Sequence, residues 1–429
     1  MKILFAYENP LPNTQADAEV FVTTTKYLAR LAPGSVLHVP LARAADRTMA
    51  ETFAGTGVLR AWAPGRPAAL RHLFCGLTMP LRKAFRDADV IYTRNLWVAS
   101  LALLFGRKVA FDHYRPWPAQ LPPLRRWIHR LFCHHRFLVN ICHSEYTRKV
   151  YLELGIPAEK LVCIHNGYEP DRLQERLPAD EAKRRIGVAP GQKTVVYTGR
   201  INHKKGLELV IEAARALPDV LFILVGAERE NPVEQQARAV ANIRVVPWQT
   251  PEAVATYLFA ADVLLIPPSL QPLAEFGSTV LPLKLYLYLA AGRPILAGNT
   301  RDVGEILRHG ENAFLCEPDR LQPLLEAITA LTTDAGLAAR LAAGALADSR
   351  LFTWEARAGK IAETLAARWR MPAATPGRWE ARHARAWRAE SWRWLVHVAR
   401  TRYWVLPPAL PPRAAMPRPS LPPQVGSRG

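Results

Sequence analysis

Arg200 and Lys205 stand five residues apart in the stretch VVYTGRINHKKGLELVIEAARAL, residues 195–217. An apolar run ends at Gly199, a short polar loop carries Lys204 and Lys205, and Gly206 opens a helix with one apolar stripe. Cations at a strand end, beside a helix start, suit a diphosphate, because the side-chain charges and the unsatisfied helix N–H groups attract the same anion. A solvated basic loop is the plainer reading of the same residues. His113 ends the run KVAFDHY (108–114), where an imidazole can hydrogen-bond a ligand or move a proton; an ordinary histidine between domains is its plainer reading. Arg94 follows DVIYT in the same way, and a structural ion pair accounts for it equally well. Lys284 is a lone charge near the start of an apolar stretch, LPLKLYLYLAAGRPILAG (281–298). Cys133, His134, His135, Cys142 and His143 have no common zinc spacing, and no two of the five cysteines form a CxxC pair, so no metal site is expected.

These residues need elements to hold them. The apolar runs of the first half are 2–7, 35–39, 89–93, 108–114, 137–142 and 161–166. Those of the second half are 194–199, 220–226, 243–248, 262–267, 294–298 and 313–318. Helical patterns separate most of them, and continuous apolar strands between helices read as parallel sheets covered on both faces. A chain of 429 residues exceeds one ordinary core. The fold class is therefore α/β, with two doubly wound Rossmann-like domains whose parallel sheets face across a cleft. The expected boundaries are 1–167 for an N-terminal domain and 168–192 for a polar, proline-containing linker. A C-terminal domain covers 193–351, a closing helix 352–369, and a basic Trp/Arg/Pro-rich tail 370–429. Ligands of such sheets bind beyond the carboxyl ends of the strands, which is where Arg200 and His113 fall.

The net charge of +19 is uneven, since residues 368–429 hold twelve arginines and two glutamates. Such an excess favours an anionic partner: a nucleotide, a phospholipid headgroup or a nucleic acid. No recognised nucleic-acid module is present, so no specific nucleic acid is expected. On a helical wheel Trp379, His383, Trp387, Trp394 and Val398 share one face of the tail beside Arg382, Arg393 and Arg400, a pattern suited to an anionic membrane surface and also to docking on the domains. The Pro-rich end has no core to build and is expected to be disordered. The longest apolar run, LWVASLALLFG, is too short to span a bilayer, and MKILFAYENP reads as a core strand rather than a signal peptide. The expected location is the cytoplasm, peripheral on the inner face of its membrane.

The order of motifs resembles that of glycosyltransferase family 4, the group 1 retaining glycosyltransferases of GT-B fold. MKILFAYENPLP resembles the opening strand and loop, and Ile164-His165-Asn166-Gly167 the interdomain turn. TGRINHKKGLELVIEA resembles the donor loop. PLKLYLYLAAGRPILAG, DVGEILRHGENAFLCEPD and FTWEARAGKI resemble the elements that follow. The resemblance implies a nucleotide-diphosphate sugar as donor substrate, a glycan or lipid-linked acceptor, and transfer with retention and without a metal or other cofactor. It implies that Arg200 and Lys205 stabilise the leaving diphosphate, with His113 beside the donor sugar. It places Lys284 near the same phosphates, Gly199 and Gly206 where backbone approaches the nucleotide, and Glu305 in the helix after PILAG.

Two departures stand out. The family's E-x7-E carboxylates fall on Thr279 and Leu287, and the loss of a ribose contact at Leu287 costs about 1–3 kcal/mol if its partner stays buried and unpaired. PNTQADAEVF stands in place of a Gly-Gly turn. These departures motivate a second reading, a degenerate GT-B protein that binds a nucleotide sugar without turnover. Arg200, Lys205 and Lys284 argue for the enzyme.

Overall fold

The computed structural model describes residues 1–11, 16–40, 53, 56–60, 62–64, 68–228, 231–276, 281–370, 381–401 and 406. The chain forms two compact units, one from 1–166 with 354–406 and one from 167–353.

The first unit has seven parallel strands: β1 (Ile3–Ala6), β2 (Val36–Val39), β3 (Gly57–Arg60), β4 (Val90–Thr93), β5 (Lys108–Asp112), β6 (Phe137–Cys142) and β7 (Leu161–Cys163). Their order is β3-β2-β1-β4-β5-β6-β7, with Phe5 opposite both Leu37 and Tyr92. Alternate residues of β1 enter different cores: Ile3 and Phe5 lie in one, Leu4 and Ala6 in the other. A strand buried on both faces has no polar side, so its sequence reads as an unbroken apolar run. The second unit repeats the plan with β8 (Thr194–Thr198), β9 (Leu221–Ala227), β10 (Ile243–Pro247), β11 (Val263–Leu265), β12 (Ile295–Gly298) and β13 (Phe314–Cys316). Its order is β10-β9-β8-β11-β12-β13, again all parallel. Both sheets thus have the doubly wound order, with a switch point beside the first strand of each unit.

Two expectations differ from the structure. The edge strand β3 has no counterpart among the runs read from the sequence, because GVLR is short and its Val58 and Leu59 are only partly buried. Residues 168–192 are no free linker. Leu173, Leu177, Ala182 and Val188 are buried in the second unit's core, and Lys183 pairs with Asp262 at 2.8 Å. Their apolar residues are spaced one to a turn among charges, which hides the burial. The closing helix, Trp354–Arg370, returns to the first unit, where Ala358, Ile361 and Leu365 fill the core beside the helix Ala16–Leu31.

Arg357 fixes that return. Its Nη2 donates to both carboxylate oxygens of Asp112 at 2.8 and 2.9 Å, its Nη1 to the carbonyl of Ile164, and its Nε to Thr24 Oγ1 at 3.2 Å. His143 Nε2 lies 2.6 Å from Asp112 Oδ1, and the Tyr92 hydroxyl donates to Oδ2. Burial alone would raise the Asp112 carboxyl, but Arg357 and His143 hold it well below the usual range.

In the tail, the helix Ala381–Thr401 packs on the turn Pro122–Leu124, and Glu390 pairs with Arg125. Trp394 and Val398 are half-buried, while Trp392 is exposed. The side chains of Trp379, His383, Trp387 and Trp404, and the Pro-rich end, lie outside the described residues. Among the described residues no helix is long and apolar enough to cross a membrane.

Candidate active site

The cationic loop grows from the carboxyl end of β8. Tyr197 and Thr198 close the strand, and Gly199 continues it with φ 129°, a backbone conformation that side chains rarely adopt. Its N–H donates to the carbonyl of Val225 at 2.8 Å. Gly226, φ 123°, lies directly beneath, and a Cβ there would come 2.5 Å from the Gly199 carbonyl oxygen. Two glycines therefore let neighbouring strand ends touch backbone to backbone.

The helix Leu283–Ala291 holds this corner from the side. Its Tyr288 hydroxyl accepts from the Thr198 N–H at 2.8 Å, and Lys284, one turn earlier on the same face, places Nζ 3.6 Å from the centroid of the Tyr197 ring. The Tyr197 hydroxyl in turn donates to the Arg200 carbonyl at 2.9 Å. A Cβ on Gly199 would lie 2.8 Å from Lys284 Nζ. Arg200, Lys284 and Gly199 are thus brought to one point by residues about 90 positions apart.

Lys205 ends the loop, within electrostatic reach of Arg200 and Lys284. Asn202 caps a 3-10 turn, His203–Lys205, by accepting from the Lys204 N–H at 3.1 Å. Gly206 closes that turn with φ 67°, and a Cβ there would run into the Ser269 side chain. The helix that the sequence opens at Gly206 begins two residues later, at Glu208, because Gly206 is spent on the turn. Burial, then the neighbouring charges of Arg200 and Lys204, lower the Lys205 ammonium. Burial, then Lys205, holds Lys284 well below its ordinary 10.5. Arg200 is more exposed and pairs with Glu228 at 3.0 Å, a surface contact of modest worth. Burial and neighbouring cations thus both disfavour the charged forms of Lys205 and Lys284.

A pH dependence follows. A bound diphosphate favours the charged lysines, so binding takes up protons in the window between the lowered lysine values and the ordinary 10.5, and affinity falls as pH rises through it. Folding has the opposite sign: the unfolded chain binds more protons, so the contribution of Lys284 to stability grows with pH over the same window. Calorimetric titration of UDP in two buffers of different ionisation enthalpy is expected to show proton uptake that Lys284→Met diminishes. Equal uptake in both proteins would remove Lys284 from the site.

The other expected residues are placed as follows. His113 is buried at the end of β5, among Phe111, Tyr114 and Trp117. Its Nδ1 accepts the Arg115 N–H at 2.9 Å, which leaves the proton of the neutral ring on Nε2. Burial, then Arg94 and Arg115, keep the ring neutral. Arg94 is a structural tie: its Nε donates to the Asp112 carbonyl at 3.1 Å and its Nη1 to the carbonyl of Asp17. Glu305 ends the 3-10 turn Val303–Glu305 after β12, near the buried Asp302. Leu287 is half-buried against the second unit's core. Residues 12–15 and Thr279 lie outside the described residues. Sequence reasoning missed Tyr288, Gly226 and Glu228. The tyrosine's place four positions after Lys284 was the available signal, since it puts the two on one helix face.

Two family models match the chain side by side. "Glycosyltransferase Family 4" covers residues 20–172 and "Glycosyl transferases group 1" covers 178–347. With both units doubly wound, the chain belongs to the group 1, family 4 glycosyltransferases, and its fold is GT-B. It is 24% identical over 226 residues to a D-inositol 3-phosphate glycosyltransferase of Rhodococcus jostii, which covers 47% of this chain and 48% of the relative. It is 24% identical over 260 residues to the amylovoran biosynthesis glycosyltransferase AmsK of Erwinia amylovora, 58% of either chain. The chain spans about half the length of the curated relatives it matches. Among solved structures it resembles Anabaena HepE in complex with UDP-glucose, with a TM-score of 0.65 and 20% identity over 86% of this chain and all of that one.

Proposed function

We propose that the protein transfers a sugar from a nucleotide-diphosphate sugar to a glycan or lipid-linked acceptor, with retention of configuration and without a metal, in the making of a cell-surface polysaccharide or glycolipid. The observation that carries this reading is the gathering of Arg200, Lys205 and Lys284 around Gly199. Charge develops on the diphosphate as the glycosidic bond to it breaks, and cations already in place stabilise that charge without reorganising. Three cations at one strand end supply the kind of charge that a metal ion would otherwise bring, and the first contact of a diphosphate with Arg200 competes only with the exposed Glu228. On the first unit, the Nε2–H of His113 is set to donate to a sugar hydroxyl, since a ring kept neutral by burial is a better donor than base. The names of the relatives and the UDP-glucose of HepE support the same class of chemistry. In this reading the protein works on the cytoplasmic side, peripheral to its membrane.

The test is a thermal-shift comparison of UDP, GDP and ADP. Stabilisation by one of them names the donor's base, and saturation at about 100 times Kd corresponds to about 2.7 kcal/mol. A folded protein that none of the three stabilises would refute the donor site.

A further inference from the structure

We infer that the first unit carries a docking face for an anionic phospholipid surface, made by the helices Ala68–Thr78 and Leu96–Leu104 and joined by the tail helix Ala381–Thr401. This deepens the peripheral-membrane part of the proposed function and moves the contact from the tail to the body of the unit. Of the fourteen large apolar side chains exposed among the described residues, twelve lie on the first unit and two, Trp248 and Leu351, on the second.

They fall in stripes. Leu70 and Leu77 lie seven residues apart, on one face of the helix Ala68–Thr78, and Leu81, 80% exposed, follows in the 3-10 turn Met79–Leu81. On the neighbouring helix Leu104, 78% exposed, lies seven residues after Trp97. The two helices touch at Gly76, where a Cβ would meet Leu101 Cδ1 at 3.0 Å, so the stripes run side by side. Trp97 is 5.4 Å from Trp127, ring to ring, which links the stripes to the helix Arg125–Phe132. The tail helix, seated on the turn Pro122–Leu124, adds the exposed Trp392 and Leu395.

The charge settles the partner. Residues 68–136 contain twelve Lys and Arg against three Asp, and residues 368–429 contain twelve Arg against two Glu. These two stretches carry the whole +19, and the remainder of the chain is neutral. Arg82, Lys83 and Arg86 follow the first stripe, and Arg126 and Arg130 are exposed one helical turn apart next to the second. Basic side chains rimming exposed tryptophan and leucine fit a headgroup and acyl-chain boundary, where each cation near the surface adds to binding. A nucleic acid would accept the charge but not the apolar stripes. With no helix able to span a bilayer among the described residues, the face lies on the membrane.

The test is co-sedimentation of the full chain with phosphatidylcholine vesicles containing about a third phosphatidylglycerol. Binding is expected, on the order of tenfold weaker to phosphatidylcholine alone, and reduced by salt. Leu77→Glu/Leu81→Glu/Leu104→Glu, all at exposed positions, is expected to lower binding on the order of tenfold while leaving the UDP thermal shift intact. Hydrogen exchange with vesicles present is expected to slow in 70–81 and 97–105 and stay unchanged in the second unit. Each of four results would overturn the inference. They are no binding to anionic vesicles, undiminished binding by the triple variant, tighter binding to a DNA duplex than to vesicles, and lipid-free dimerisation that protects the same helices. Failure of the UDP shift alone would refute the donor site and leave this face standing.

Discussion

Arg357→Met is expected to lower the unfolding free energy of the first unit by about 3–5 kcal/mol. The guanidinium is fully buried, and its removal strands the Asp112 carboxylate, which keeps only His143 and Tyr92. It also removes donors from the carbonyls of Ile164 and His165, where the chain leaves the unit. Breaking one side of a buried pair costs more than the pair contributes, because the surviving charge stays out of water. The matching double variant, Arg357→Met with Asp112→Asn, is therefore expected to recover part of the loss. Asp112 also sets the pH dependence. Its folded carboxyl titrates well below the usual value, so this stability is present above the ordinary carboxylate range and is lost as pH falls towards the depressed value. Urea unfolding of the three proteins decides the matter, and a cost under about 1 kcal/mol for Arg357→Met would make the contact incidental.

Arg200→Ala with Lys205→Ala is expected to reduce kcat/KM for transfer by about 10³-fold or more and to erase the UDP thermal shift. Preorganised groups of this kind each contribute on the order of 10²–10³ to the rate, and two acting on one diphosphate act together. Loss of activity here is not loss of fold. Lys205 bears a desolvation cost and repulsion from two neighbours, and Arg200 holds only an exposed pair with Glu228. Removing both leaves the apo stability unchanged or slightly raised. A double variant with full activity and a full shift would put the phosphates elsewhere.

Most of the fold was legible because both sheets are covered on both faces. A run such as VLFILVG is apolar throughout, and its length and flanks mark it as a buried strand. β3 was illegible for the opposite reason, since an edge needs little apolar surface. The cationic loop was legible because its charges are close in sequence and follow a strand. Its supports were not. Tyr288 meets Thr198 ninety residues away, and nothing in YLYLAA separates that hydroxyl from a core tyrosine. Gly226 matters only because Gly199 lies over it. Arg357, in FTWEARAGKI, looks like any solvated helix charge until Asp112 arrives from 245 positions upstream. Local signals report what a residue is, and these roles depend on which distant backbone it reaches.

The return of the helix Trp354–Arg370 to the first unit has a consequence in time. A ribosome delivers residues 1–166 first, yet the core they build still lacks Ala358, Ile361 and Leu365, and Asp112 still lacks its guanidinium. The second unit, unbroken from 167 to 353, is complete before those pieces emerge. The half that begins synthesis is thus the half that finishes folding, and through that interval the helix Ala16–Leu31 lies beside an unfilled core. A chain cut short before residue 354 would possess a finished cation-bearing unit and an unsealed partner, the kind of intermediate that chaperones hold.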